Sequence, residues 1–186
     1  VGVPDSAIPA AIGYANESKI PYTEGLIRNR YVGRTFISPN QKLRELGVKT
    51  KFNVLNEVVR GQRIILIDDS IVRGTTTSRV IEMIKDAGAK EIHMRVSSPP
   101  ITSPCFFGVD MATTSELIAN KFSVEKIRKI LGADSLGFLS VNNLKESVNA
   151  SQNNYCKACF TGDYPMPVQL DFDKFHLEKT SRYLLL

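Results

Sequence analysis

The segment Ile65–Thr77 reads ILIDDSIVRGTTT. An apolar run leads into two carboxylates, Asp68 and Asp69, and then into Ser70, Arg73, Gly74 and the threonines Thr75, Thr76 and Thr77. A continuous apolar run of this length is what a central parallel strand requires, and a polar turn after it lies at the carboxyl edge of the sheet, where α/β proteins bind ligands. Backbone N–H groups at the start of the following helix, together with the threonine hydroxyls, can hold a phosphate. Gly74 lets the backbone approach closely. Paired carboxylates repel a phosphate and suit hydroxyl groups or a divalent cation instead. A ligand that satisfies both halves of the turn carries a phosphate at one end and a diol at the other. The plainer alternative is a tight βα turn with an ordinary capping threonine. The segment is not a Walker A loop, because the Gly-Lys-Ser/Thr ending is absent.

A second group with chemical potential is Cys156-Lys157-Ala158-Cys159, with Cys105 upstream. A CxxC pair fits zinc, an iron–sulfur cluster or a redox couple. Thiolates in sets of four hold tetrahedral zinc or a 4Fe-4S cluster, and three cysteines are one short. The other soft ligands are His93 and His176. His93 falls in an expected strand and reads as an ordinary half-exposed residue. An odd cysteine count argues against a disulfide framework.

The elements that must position these groups follow from the hydrophobic pattern. Val1–Val3 reads as the end of a buried strand, and Pro4-Asp5-Ser6 as a turn. From Ala7 to Ser18 the residues Ile8, Ala11, Ile12 and Ala15 form a helical stripe, with Asp5 or Ser6 as its cap and Pro9 tolerated in the first turn. A strand is expected near Thr23–Ile27. Arg28–Asn53 has no regular apolar period and carries Arg28, Arg30, Arg34, Lys42, Arg44, Lys49 and Lys51 against the single acid Glu45. It reads as a long basic loop with a helical turn at Gln41–Leu46; loops this long are usually functional lids or disordered. Ile64–Ile67 is a strand, Ser78–Ala87 a helix closed by Gly88, and Glu91–Val96 another strand, an order that implies a right-handed βαβ unit. Further helices are expected at Val124–Leu131 and Leu144–Ala150, and an irregular tail from Asn153. The fold class is α/β, a parallel sheet flanked by helices.

Composition sets outer bounds. The chain has 186 residues, 42% of them hydrophobic, enough for one sizeable core. The net charge of +5 favours anionic ligands without demanding nucleic acid. No apolar run reaches the ~18–20 residues of a membrane span and no signal peptide is visible, so a cytoplasmic location is expected, with neither membrane nor nucleic acid as a partner.

On these residues Ile65–Thr77 resembles the phosphoribosyl pyrophosphate (PRPP) signature of type I phosphoribosyltransferases. NRYVGRTFISPNQ (Asn29–Gln41) resembles the flexible catalytic loop of the glutamine PRPP amidotransferase family, and VPDS (Val3–Ser6) resembles its pyrophosphate loop. The resemblance runs from Val1 to about Val168 and implies the type I phosphoribosyltransferase fold. It divides the chain into a phosphoribosyltransferase domain, residues 1–150, and a carboxy-terminal extension, residues 151–186, that carries the CxxC pair. It implies that ammonia, from glutamine in the full-length enzyme, displaces pyrophosphate from PRPP to give 5-phosphoribosylamine, the first step of de novo purine synthesis. Asp68 and Asp69 would meet the ribose hydroxyls and Mg²⁺, with Asp5 and Ser6 on the pyrophosphate side and Ser6 reaching the metal. Ser70, Gly74, Thr75, Thr76 and Thr77 would cradle the 5′-phosphate. Tyr31, Arg34, Phe36 and Ile37 would close the site and shape a path for ammonia. Cys105, Cys156 and Cys159 match three of the four cysteines that hold a structural 4Fe-4S cluster in some family members, the fourth being expected upstream. The resemblance further implies a separate N-terminal glutaminase domain that this chain lacks, a homo-oligomer (a tetramer), and purine nucleotides as feedback inhibitors.

Two other functions share part of this pattern. A PRPP-sensing regulator would use the basic loop on DNA, but no separate DNA-binding segment is visible. A salvage phosphoribosyltransferase shares Ile65–Thr77 but leaves Asn29–Gln41 and the CxxC pair without a role.

Overall fold

The computed structural model describes residues 1–31, 51–109, 113–148 and 155–168. Its centre is a parallel sheet of three strands, β3 (Arg63–Asp68), β4 (Glu91–Val96) and β5 (Ser135–Phe138), in the order β3-β4-β5. The register pairs Ile64 with Ile92 and Leu66 with Met94, then Met94 with Leu136 and Val96 with Phe138. Val1–Val3 runs parallel along the other edge of β3. The Ile67 amide donates to the Val1 carbonyl at 2.8 Å, and the Val3 amide donates to the Ile67 carbonyl at 2.8 Å. A separate antiparallel pair joins β1 (Leu26–Arg28) to β2 (Phe52–Val54), and the short helix α2 (Asn56–Val59) leads from β2 toward β3.

One face of the sheet is covered by α3 (Thr75–Asp86) and α5 (Val124–Leu131). Val80, Ile81 and Ile84 of α3 and Ile127 and Leu131 of α5 share a core with Leu66, Ile92 and Met94. The sequence places these side chains at helical spacing on the helices and at alternate positions on β4, so the two periods face each other. α5 begins at Ser123, whose side chain accepts the Lys126 amide, and ends at Gly132 in the left-handed conformation. Between β4 and α5 lie a 3₁₀ turn, Thr114–Glu116, and the short helix α4 (Ile118–Lys121). Helix α6 (Val141–Ser147) follows β5, and α7 (Ala158–Thr161) contains the second cysteine of the CxxC pair.

The expected strand Glu91–Val96 and helix Val124–Leu131 have the observed limits. Several expectations are corrected. Strand β5 falls where no strand was expected. Its sequence, SLGF, is short and half-buried throughout, so it shows neither a continuous apolar run nor a clean alternation. Strand β2 and Arg28 belong to the β1–β2 pair, so both ends of the basic stretch are strand rather than loop. The expected strand near Thr23–Ile27 is found at Leu26–Arg28, and the expected helix near Leu144–Ala150 is found at Val141–Ser147, where Ser140 caps it by accepting the Asn143 amide at 3.0 Å. Helix α3 begins at Thr75 rather than Ser78, which places the three threonines in its first turn. Helix α1 (Ile8–Ser18) has Pro in its first turn as expected, but its N-cap is Ala7, and neither Asp5 nor Ser6 caps it with a side chain. Of its apolar stripe only Ala11 is buried, and Ile12 is 42% exposed. The expected helical turn at Gln41–Leu46 lies outside the described residues.

Candidate functional site

The carboxyl end of β3 delivers Asp68 and Asp69 to the rim of the sheet. Asp68 is only 8% exposed. Its Oδ1 accepts the Asp69 amide at 2.9 Å, and the Thr77 side chain also hydrogen-bonds to it. Burial pushes the Asp68 carboxyl up to about 7, and the neighbouring Asp69 charge pushes in the same direction; the Asp69 amide, Thr77 and Lys51 pull against them. Asp69 Oδ1 accepts the Ser70 hydroxyl at 3.0 Å. The pair is therefore one carboxyl that resists ionising beside one that is tied to the turn.

Gly74 stands at the N-cap of α3 with φ +79. That conformation costs an L-residue, and there is also no room for a side chain: a Cβ would lie 2.9 Å from Ile118 Cδ1 and 3.3 Å from Leu131 Cδ2. Gly74 is thus required by the turn and by packing beneath it. The first backbone bond of α3 runs from the Ser78 amide to the Gly74 carbonyl at 2.9 Å, and among the described residues no side chain caps the helix. The amides of Thr75, Thr76 and Thr77 precede that bond and lie at the positive end of the helix, where an anion can be held. Thr75 is exposed and Thr76 half-buried. Thr77 is 4% exposed and turned toward Asp68, so its hydroxyl supports the carboxylate instead of facing outward.

The pairing of Val1–Val3 with β3 brings the turn Pro4–Ala7 to the same rim, because Val3 bonds to Ile67, the residue before Asp68. The Pro4–Asp5 peptide is cis. Ser6 is exposed. Asp5 Oδ2 accepts Arg28 Nη1 at 2.8 Å, which ties the turn to β1. Lys51, whose carbonyl accepts the Asn29 amide at 2.7 Å, completes the group. Its ammonium is lowered by burial and by Arg28, and raised by Asp5, Asp68 and Asp69, so it lies within electrostatic reach of both parts of the rim. Arg28 and Lys51 were visible in the sequence only as two members of a basic stretch. Nothing local marks them out; the β1–β2 pairing does, by bringing Arg28 of β1 and Lys51, the residue before β2, together near Asp5.

Tyr31 is fully exposed at 101% and packs on no described residue. Arg34, Phe36 and Ile37 lie outside the described residues. Cys105 and Cys159 are half-buried and Cys156 is exposed. The Cys159 carbonyl accepts the amides of Thr102 at 2.9 Å and Ser103 at 3.0 Å, which holds α7 beside the segment that carries Cys105. Burial raises the Cys159 thiol, and Cys105 and Cys156 both add to the rise, so the three thiols lie within electrostatic reach of one another. Tyr164 Oη donates to the Pro104 carbonyl at 2.8 Å and its ring meets Phe106 edge-on at 5.3 Å. Among the described residues, no three or more His, Cys, Asp or Glu side chains converge on a point suited to a single metal ion. None of the described helices is long and apolar enough to cross a membrane.

A rim with a carboxylate pair at a strand end and an uncapped helix start one turn away can hold a diol or cation and a phosphate side by side. Over most of its length the chain is similar to amidophosphoribosyltransferases. The chain is 60% identical over 168 residues to the amidophosphoribosyltransferase of Archaeoglobus fulgidus, an alignment that spans 89% of this chain and 37% of the relative. It is 55% identical over 175 residues to the amidophosphoribosyltransferase of Methanothermobacter thermautotrophicus, covering 94% of this chain and 37% of that one. The solved structure of glutamine PRPP amidotransferase from B. subtilis, complexed with ADP and GMP, superposes with a TM-score of 0.81 at 52% identity, over 95% of this chain and 40% of its own. The chain thus spans about two fifths of the length of these relatives. No protein-family model matches it.

Proposed function

We propose that the chain is the phosphoribosyl-transferring part of an amidophosphoribosyltransferase, acting in the cytoplasm at the first step of de novo purine biosynthesis. Ammonia attacks the ribose C1 of PRPP. A C–N bond forms, the C–O bond to pyrophosphate breaks, and the nitrogen loses a proton, giving 5-phosphoribosylamine and pyrophosphate. One observation carries this reading: the Asp68–Asp69 pair and the uncapped start of α3 share one sheet rim with the Pro4–Ala7 turn. In this reading the three parts of the rim serve the ribose hydroxyls, the 5′-phosphate and the leaving pyrophosphate.

In this reading Asp68 and Asp69 take the 2′- and 3′-hydroxyls. The amides of Thr75, Thr76 and Thr77, with Ser70 and Gly74, take the 5′-phosphate. The Asp5–Ser6 turn takes the pyrophosphate. Arg28 and Lys51 supply positive charge near the departing anion, a stabilisation that grows as the bond breaks. Tyr31, with Arg34, Phe36 and Ile37, closes the site and excludes water. The oxygen-only donor set of Ser6, Asp68 and Asp69 fits Mg²⁺. Bound there, the ion would add charge opposite the pyrophosphate oxygens.

Cys105, Cys156 and Cys159 fit three positions of a 4Fe-4S cluster. Such a cluster is ligated at four separate irons and does not require its ligands to meet at one point. The fourth thiolate would come from elsewhere in a longer protein. In that arrangement residues 1–150 form the transferase part and 151–186 an extension that carries the CxxC pair. Purine nucleotides, which occupy the B. subtilis structure as ADP and GMP, would act as feedback inhibitors, and the enzyme would work as a homo-oligomer.

Incubating the chain with PRPP, Mg²⁺ and either ammonium or glutamine tests this. Pyrophosphate release and 5-phosphoribosylamine formation are expected with ammonium. Release with a free purine or pyrimidine base but not with ammonium would overturn the assignment.

A further inference from the structure

Three consecutive residues of the phosphate turn are each held by the segment 114–118 through a different kind of contact. The Val72 carbonyl accepts the Ile118 amide at 2.9 Å. Arg73 donates from Nε to Glu116 Oε1 and from Nη2 to Glu116 Oε2, both at 3.1 Å. Gly74 lies against Ile118 Cδ1. The two-pronged Arg73–Glu116 pair fixes the plane of the guanidinium as well as its position. Arg73 is the cation nearest in sequence to the helix start, yet its fork is taken up by Glu116.

We propose that Glu116 is a positioning residue for the phosphate turn: by holding the Arg73 guanidinium it fixes the path of Val72–Gly74, and so the direction in which the first amides of α3 face the 5′-phosphate. The proposal rests on the phosphoribosyl-binding reading given above. Glu116 does not touch the ligand; it acts through Arg73. The turn leaves β3 at Asp68 and enters α3 at Thr75, so the residues between are anchored at both ends by regular structure. The brace from Glu116 removes the remaining freedom in the middle. A group that only orients a phosphate present equally in the ground and transition states acts on KM and leaves kcat in place.

The test is a double-mutant cycle on Arg73→Gln and Glu116→Gln, with ribose 5-phosphate as the probe of the phosphate end and PRPP plus ammonium for turnover. Both side chains are partly exposed, at 31% and 40%, which limits the effect to roughly 3–5-fold. Each single variant should weaken ribose 5-phosphate binding by that factor and raise the KM for PRPP in step, with kcat unchanged. The double variant should be no worse than either single one. Unchanged affinity in Glu116→Gln would overturn the proposal. So would tighter binding, because a released Arg73 would then be gripping the phosphate itself, and so would additive losses. A fall in kcat with KM unchanged would equally refute it. Thermal midpoints of the variants measured alongside should match the wild type; a shift that accounts for the lost binding counts against positioning. If the wild type itself fails to bind ribose 5-phosphate, the phosphoribosyl reading fails, an outcome distinct from a wild type that binds and variants that bind equally well.

Discussion

Replacing Gly74 with alanine should be among the most damaging single-methyl changes near the site, for two separable reasons. At φ +79 an L-residue costs about 1–2 kcal/mol. The added Cβ would also stand 2.9 Å from Ile118 Cδ1 and 3.3 Å from Leu131 Cδ2. The first of these atoms is the tip of a side chain that can turn, but Ile118 is buried, so relief is partial; overpacking of this kind adds about 1 kcal/mol at the lower end of its range. The sum is about 2–3 kcal/mol, or a thermal midpoint lower by roughly 4–12 °C for a chain of this size. Urea denaturation of Gly74→Ala, and of Gly74→Ala with Ile118→Val, separates the two contributions. The second substitution should recover the packing part, about 1 kcal/mol, and none of the conformational part. Gly13→Ala serves as the control: Gly13 lies in α1 with open space around its missing Cβ, and alanine there should stabilise by about 0.5–1 kcal/mol. A loss below about 0.5 kcal/mol in Gly74→Ala would refute the reasoning, as would full recovery on trimming Ile118.

Asp68 makes stability depend on pH in an unusual direction. Its ordinary value is 3.8 and burial raises it to about 7 in the fold. Between those values the unfolded chain has lost a proton that the folded chain keeps, so in metal-free buffer the contribution of Asp68 to stability should be greatest below about pH 4 and be lost as pH rises through about 7. Asp68→Asn should flatten that slope and be the more stable protein at pH 8, by at most about 4 kcal/mol; parallel pH profiles of the urea midpoint would count against the burial argument. Lys51→Met should weaken PRPP binding by about tenfold or more, since the ammonium is partly buried beside Asp5, Asp68 and Asp69; calorimetry showing no change would remove Lys51 from the site. If the three cysteines share a cluster, anaerobically prepared protein should carry iron and sulfide, Cys159→Ser should lower both, and chelation should raise the number of titratable thiols. Iron content unaffected by Cys159→Ser would contradict it.

The parts of this fold that could be read from the sequence are those with strong, unbroken patterns. Glu91–Val96 alternates cleanly, Val124–Leu131 carries its capping Ser123 and closing Gly132, and Ile64–Ile67 is apolar throughout. What escaped reading depends on contacts distant in sequence. β5 is a strand because β4 offers it a ladder, with Arg95 lying over Gly137. β2 is a strand because β1 pairs with it. The apolar stripe on α1 predicted burial that only Ala11 achieves. The same division holds at the site. Asp68, Asp69 and the threonines announce themselves as neighbours in one segment. Arg28, Lys51 and Glu116 carry no local mark and are recruited only by the folded chain, Arg28 across 23 residues to Asp5 and Glu116 across 43 residues to Arg73. Thr77 shows the opposite error of local reading: it sits within the motif, yet the helical turn directs its hydroxyl inward to Asp68.

Titration of PRPP into the chain in the presence of Mg²⁺, beside an Asp68→Asn, Asp69→Asn double variant, tests the central claim most directly. The account predicts saturable binding by the wild type and an affinity lower by about 100-fold or more in the variant, from the loss of two charge-assisted contacts to the ribose side. Equal affinity of the two proteins for PRPP would contradict it.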